Sequence, residues 1–277
     1  MNDLIESIPE LEDASQVCHW LASWKWSEAA GGNFSVRIDK LPENIHNFSG
    51  KTPQSLPRAV PVLSGTYMLL TGKGARARDI ASKVEEGVGL YWILQGGEEF
   101  VSLWGNNEPT SELHAHLAIH EMLLEVRPTH RAILHTHPAN LIALTHIPEM
   151  RDASQLSDLL LRMQSEARIH LPQGLAYIHF NLPGSHALGE TTSQALREAN
   201  VALWHMHGAI ATGESISQAL DYLEIVDKAA QIYWRLVSSG IEPSGMTDEH
   251  LRLSLEHFGL WERYNQGRYS KMRRQPS

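Results

Sequence analysis

The sequence predicts an α/β layered domain. Three observations carry this expectation. Strand-like and helix-like segments interleave along the chain, no polar stretch is long enough to act as a linker, and 277 residues suffice to bury a substantial core. Hydrophobic residues make up 42% and charged residues 20%, the balance of a folded rather than a disordered chain. Residues 1–277 are therefore expected to form one domain with a polar tail at about 265–277.

A first helix is expected from about Ala14 to Ala29, where Val17, Trp20, Leu21 and Trp24 fall at helical spacing ahead of Gly31-Gly32. Asn33–Ile38 alternates like a half-buried strand, and residues 39–58, rich in Pro, Asn, Ser and Gly, read as an irregular excursion. Tyr67–Thr71 is a short apolar strand leading into Gly72-Lys73-Gly74. Strands near Val88–Leu94 and Phe100–Trp104 flank a Gly96-Gly97 turn. Thr110 or Ser111 is placed to cap a helix running to about Val126, and Arg131–His135 is a strand. Helices at 138–145 and 155–167, a strand at Ala176–Phe180, a helix at 187–199 and a strand at Val201–His205 follow. Ile216, Leu220, Leu223 and Val226 stripe a long helix stopped by Gly240, and a last helix spans about 247–259.

A formal net charge of −9 argues against a broad basic face for nucleic acid. No apolar run approaches the roughly 20 residues of a membrane span, and the acidic start MNDLIESIPELEDA lacks the order of a signal peptide. The expectation is a cytoplasmic protein with neither nucleic acid nor membrane as partner. One cysteine, Cys18, stands against 16 histidines, so any bound metal would take nitrogen and carboxylate ligands.

His135-Thr136-His137 is the strongest chemical constellation. Residues i and i+2 on a strand share a face, so both imidazoles can converge on one point, half of a zinc site. In isolation the pair reads at least as well as two surface histidines. A second apolar strand ends near His207, and Glu112 offers a carboxylate at a helix start, where an acid also simply complements the helix dipole. Of the remaining histidines, His116 and His120 share one helix face at i, i+4. Neither they nor His114 and His205 are assigned to a metal.

The strings PTSELHAHLAIH (109–120), ILHTHPANLIALT (133–145) and LWHMHGAIATG (203–213), with Gly31-Gly32-Asn33-Phe34-Ser35 and Thr71-Gly72-Lys73-Gly74 in the same order, resemble the class II aldolase/adducin family over about residues 15–260. Glu166 followed by Pro172-Gln173-Gly174 favours its rhamnulose-phosphate branch. The resemblance implies a single three-layer α/β/α domain around a mixed, largely antiparallel sheet. It implies one Zn²⁺ per subunit on His135, His137 and His207, with Glu112 as the carboxylate at the metal. The implied reaction cleaves L-rhamnulose 1-phosphate to dihydroxyacetone phosphate and L-lactaldehyde. A base removes a hydroxyl proton, the carbon–carbon bond breaks to an enediolate that a Lewis acid stabilises, and Glu112 returns a proton to carbon.

Glu166 would serve the aldehyde half from a neighbouring subunit, implying a homotetramer with active sites between subunits. Gly32, Asn33, Gly72, Lys73, Gly74, Thr110 and Ser111 would receive the phosphate, since Gly-rich turns and helix starts bring amides close to anions. Ala30 stands where such relatives commonly carry Asn, and Lys73 where they carry a small residue; Lys73 could meet phosphate as a point charge. The same motifs leave open fuculose-phosphate cleavage, ribulose-phosphate epimerisation and a non-catalytic, adducin-like binding domain.

Overall fold

The computed structural model describes residues 8–38, 40–41 and 52–265; most of the 39–58 excursion and the tail from 266 onward lie outside them. Among the described residues nine strands follow the hydrogen-bonded order β2-β5-β4-β3-β1-β6-β9-β8-β7. They are β1 (Asn33–Ile38), β2 (Gln54–Ser55), β3 (Tyr67–Thr71), β4 (Val88–Ile93), β5 (Glu99–Gly105), β6 (Ala132–Thr136), β7 (Ala176–Ile178), β8 (Val201–Trp204) and β9 (Gly208–Gly213). β1 pairs antiparallel with β3 and β6, β4 antiparallel with β3 and β5, and β7 parallel with β8, so the sheet is mixed and largely antiparallel as expected. The described residues fall into two compact units. One holds the chain up to His137 with Asn181–Gln194 and Ala211–Leu220, and the other holds Pro138–Phe180, Ala195–Ile210 and the chain from Asp221.

In the first unit β1 is sandwiched. Phe34 points toward Cys18 and Leu21 of helix α1 (Pro9–Ser23) and Ile80 of α2 (Ala77–Ile80). Ser35, one residue on, meets His116 and His120 of α4 (Leu113–Val126) on the opposite face. The period-2 alternation of a strand thus puts a helix on each side. α3 (Val84–Gly87) leads into β4. Farther along the sheet, Leu117 of α4 packs among Val60, Leu63, Met68, Leu70, Tyr91 and Phe100.

Helix α1 ends at Ser23, short of the expected Ala29. Lys25 takes the left-handed conformation (φ 58°), Trp26 N–H donates to Leu21 O at 2.9 Å and Lys25 N–H to Ala22 O at 3.2 Å. These are the paired bonds of a Schellman stop built on lysine instead of glycine, and the six residues released form the loop that carries Glu28. The α4 cap also differs from expectation: Glu112 occupies the N-cap position without a side-chain cap, and Thr110 Oγ1 instead accepts the Glu112 N–H at 3.3 Å.

In the second unit the expected 155–167 helix is two helices, α6 (Ala153–Leu160) and α7 (Ser165–His170), because Gln164 is extended. Helix α5 (Ala139–Leu144) follows His137-Pro138 directly. Asn140 Nδ2 donates to both oxygens of the buried Asp227 carboxylate, at 3.1 and 3.2 Å, and Gln231 to one at 2.7 Å. The remaining helices are α8 (His186–Leu196), α9 (Ile216–Ser238) and α10 (Asp248–His257). Gly240 (φ 72°) stops α9 as expected. Among the described residues no helix is long and apolar enough to cross a membrane.

The start of α9 lies in the first unit and is capped from 203 residues away. Asp13 Oδ2 accepts the N–H groups of Ile216 (3.1 Å) and Ser217 (3.3 Å), and Asp13 Oδ1 accepts from the Ser217 hydroxyl. Asp13→Ala is expected to lower the unfolding free energy in a urea titration by about 1–2 kcal/mol, with the denaturant slope unchanged.

Candidate active site

Strand register assembles the centre. Asn33 is the cross-strand partner of His135, so both side chains leave the sheet on the same face, the one covered by α4. Glu112, at the start of that helix, reaches them: Asn33 Nδ2 donates to Glu112 Oε2 at 2.9 Å, and His135 Nε2 lies 3.8 Å from the same oxygen. Glu112 and His135 are both buried.

His137 is fixed by the loop after α1. Its N–H donates to Trp26 O at 2.7 Å, as the neighbouring Thr136 hydroxyl does at 2.6 Å, and its Nδ1 stands 2.8 Å from Glu28 Oε1. A carboxylate only accepts, so Nδ1 carries the proton and Nε2 presents a lone pair. That Nε2 lies 3.2 Å from His135 Nε2. Two imidazole nitrogens bound tetrahedrally to one zinc stand roughly 3.3 Å apart, so the pair has the spacing of two ligands of one ion. The ring leaves no room for a side chain at residue 31: a Cβ on Gly31 would stand 2.8 Å from His137 Cε1. Gly32, at φ 76°, passes equally close to His135 O.

His207 belongs to the second unit, in the 205–207 turn joining β8 to β9. There its ring packs on the buried Trp204 at 5.0 Å between centroids, Met206 N–H donates to Thr145 Oγ1 at 2.9 Å, and His205 Nδ1 is paired with Tyr177 Oη at 2.6 Å. Burial lowers the His205 pKa, consistent with a neutral ring in that pair. In the first unit, then, His135 and His137 present two nitrogens at the spacing of metal ligands beside the Glu112 carboxylate.

The expected phosphate residues form three adjoining segments of the first unit. Thr110 N–H donates to Thr71 O at 2.9 Å, Gly72 bridges to Pro109, and Phe34 N–H donates to Thr71 Oγ1 at 3.0 Å. The N–H groups of Gly72 and Lys73 already donate to Gly87 O and Glu108 O, both at 2.8 Å, and Lys73 Nζ lies 3.4 Å from Glu108 on an exposed surface. Gly74 is in the left-handed region, Thr110 is buried and Ser111 exposed. Glu166, in the second unit, is exposed, and its own backbone N–H together with the Ser165 hydroxyl (2.9 Å) lowers its pKa.

Several contributors are given no role by the sequence motifs. Glu28 sits in an aperiodic loop. Ser35, His116 and His120 form a buried polar layer between β1 and α4: His116 Nε2 meets Asn33 Oδ1 at 2.6 Å, and Ser35 Oγ meets His116 Nδ1 at 2.6 Å and His120 Nε2 at 2.8 Å. A buried Ser on an apolar strand opposite an i, i+4 His pair was the available signal.

A family model described as Class II Aldolase and Adducin N-terminal domain matches residues 12–234. The chain is 31% identical over 267 residues to a rhamnulose-1-phosphate aldolase of Bacteroides thetaiotaomicron, covering 94% of this chain and 99% of that one. It is 30% identical over 244 residues to one from Listeria monocytogenes, covering 85% and 88%. The structure of a sugar-phosphate aldolase from Thermotoga maritima superposes with a TM-score of 0.76 at 34% identity, covering 86% of this chain and 98% of that one. An L-fuculose-1-phosphate aldolase from Thermus thermophilus shares the fold, with a TM-score of 0.55 at 20% identity over 85% and 99%. The chain belongs to the class II aldolase/adducin family. Within it, the chain is an aldolase-type lyase.

Burial drives the His116 pKa down from 6.5 to about 4, and the His120 pKa well down too. The folded state keeps these rings neutral where the unfolded chain would protonate them, so the stability present above pH 6.5 is lost as pH falls toward 4. For His116 the loss is on the order of 3 kcal/mol. Urea titrations at neutral and acidic pH are expected to show a smaller acid loss in His116→Gln than in the parent.

Proposed function

We propose that this protein is a zinc-dependent aldolase that cleaves L-rhamnulose 1-phosphate to dihydroxyacetone phosphate and L-lactaldehyde. The observation that carries the reading is the His135–His137 nitrogen pair, 3.2 Å apart, with the Glu112 carboxylate 3.8 Å from His135. His135, His137 and His207 would hold the ion and Glu112 would be its carboxylate neighbour. The Nδ1–H···Glu28 bond suits this assignment, since it turns the His137 Nε2 toward His135. The bound metal would supply a Lewis acid for the oxygens of the ketose.

The remaining steps fall to the chain's own side chains. Glu112, oriented by Asn33, exchanges a proton with the carbon released by bond cleavage, and its burial keeps water from competing for that carbon. Phosphate would be received by Gly32, Asn33, Gly72, Lys73, Gly74, Thr110 and Ser111. The Gly72 and Lys73 amides already donate within the protein, so the contacts there fall to Gly74 N–H, the two hydroxyls and the Lys73 charge. Glu166, exposed and held as a carboxylate by hydrogen bonds, would act on the aldehyde half in a neighbouring subunit, which makes the working form an oligomer; the family resemblance makes that oligomer a homotetramer. The enzyme works in the cytoplasm on rhamnose breakdown.

In a coupled assay that detects dihydroxyacetone phosphate, the purified protein is expected to cleave rhamnulose 1-phosphate faster than fuculose 1-phosphate, to leave ribulose 5-phosphate intact, and to stop on chelation. Glu112→Gln should lower kcat by roughly 10²–10⁴-fold while metal content is kept. Activity that survives full removal of metal would refute the reading, as would an unimpaired Glu112→Gln. Gly31→Ala is expected to weaken zinc affinity by roughly 10–100-fold in competition with a chromophoric chelator, because the added methyl displaces the His137 ring.

A further inference from the structure

The buried layer between β1 and α4 has a direction. Glu112, as a carboxylate, only accepts, so the NH₂ end of Asn33 faces it at 2.9 Å and the Asn33 oxygen is left for His116 at 2.6 Å. His116 must then donate from Nε2, which leaves its Nδ1 to accept the Ser35 hydroxyl proton at 2.6 Å. With its proton committed, Ser35 accepts from His120 Nε2–H at 2.8 Å. Each group has one role left once its neighbour's is set.

We infer that His120, Ser35 and His116 position the Glu112 carboxylate through Asn33, by four hydrogen bonds that all donate in the direction of Glu112. The inference rests on the catalytic role proposed for Glu112. His116, His120 and Ser35 are 1%, 0% and 0% exposed, so water does not compete for these bonds. The chain ends at His120 Nδ1, which is buried without a hydrogen-bond partner among the described residues. That end is the consistent one: an Nε2–H tautomer leaves Nδ1 as a bare acceptor, whereas the reverse tautomer would strand a donor and reverse every bond above it. Burial lowers the pKa of both rings, as a chain of neutral imidazoles requires.

The three residues touch no substrate in this scheme; they act by holding Asn33, and Asn33 holds the carboxylate. Rotation of the Asn33 amide by half a turn would place its oxygen against Glu112, and the chain forbids that rotation. Loss of the chain therefore affects proton transfer more than substrate binding.

Two measurements test this. In metal-free protein labelled with ¹⁵N-histidine, long-range ¹H–¹⁵N correlation near neutral pH is expected to show the Nε2–H tautomer for both His116 and His120; an Nδ1–H signal from either ring overturns the inference. In metal-loaded protein, Ser35→Ala and His116→Leu are expected to lower kcat roughly tenfold to a hundredfold with KM within about threefold and metal content unchanged. His116→Gln, whose amide nitrogen can stand in for Nε2–H, should recover most of the loss. An unchanged kcat in Ser35→Ala and His116→Leu, or a loss that follows only the folded fraction, overturns positioning. If the parent protein cleaves no sugar phosphate, the aldolase reading fails, while the tautomer measurement, needing neither metal nor substrate, still decides the chain.

Discussion

The pairing of β1 with β6 is the constraint on which the centre depends. Asn33 opposite His135 and Ser35 opposite Ile133 put one polar row on the face beneath α4 and leave Phe34 and Val36 for the other face. A slip of one residue would exchange the two rows, bury Asn33 and Ser35 against α1 and turn His135 away from Glu112. The loop before β1 reinforces the register, because Gly32 passes too close to His135 O for any other residue to follow the same path.

That register places amide, hydroxyl and imidazole groups in an interior layer where each would be costly if unmatched. The cost is offset pairwise: Asn33, Ser35 and His116 each meet a partner on either side. Charge stands only at the two ends of the layer, with Glu112 at one and, near His120, the buried Arg37 guanidinium, which donates to Pro128 O and His130 O. Neutral imidazoles bridge a long gap between α4 and the sheet without the desolvation that a lysine or a second carboxylate would carry. On the outer side of the centre a different solution appears, with exposed Glu28 orienting His137 from a loop.

Much of this architecture was legible before any coordinates. Asn33–Ile38 reads to the residue from its alternation and Tyr67–Thr71 from its apolar run before Gly72. Asn33–Ile38 is buried on both faces rather than half-buried, because helices cover each side of it. His135-Thr136-His137 announced a shared point by strand geometry. Other features left no such trace. The end of α1 is set by a lysine in a conformation usually left to glycine. β9, GAIATG, is buried at all six positions and built largely from small residues, so it shows neither alternation nor strand propensity. Spacing placed His116 and His120 on one helix face but could not tell what that face would meet, and Glu28 depends on a loop path that no periodicity records.

The tie between Asp13 and the start of α9 has a consequence for how the chain is made. Its two ends are separated by 203 and 204 residues of a 277-residue chain. At ribosomal speeds of about 5–20 residues per second, α1 waits roughly 10–40 s before its capping partner exists. During that interval its carboxylate has nothing to cap, and its apolar face must rely on β1, α2 and the strands that emerge soon after. The early segments thus have to hold together through local contacts, with the distant tie added last to a unit that is already compact.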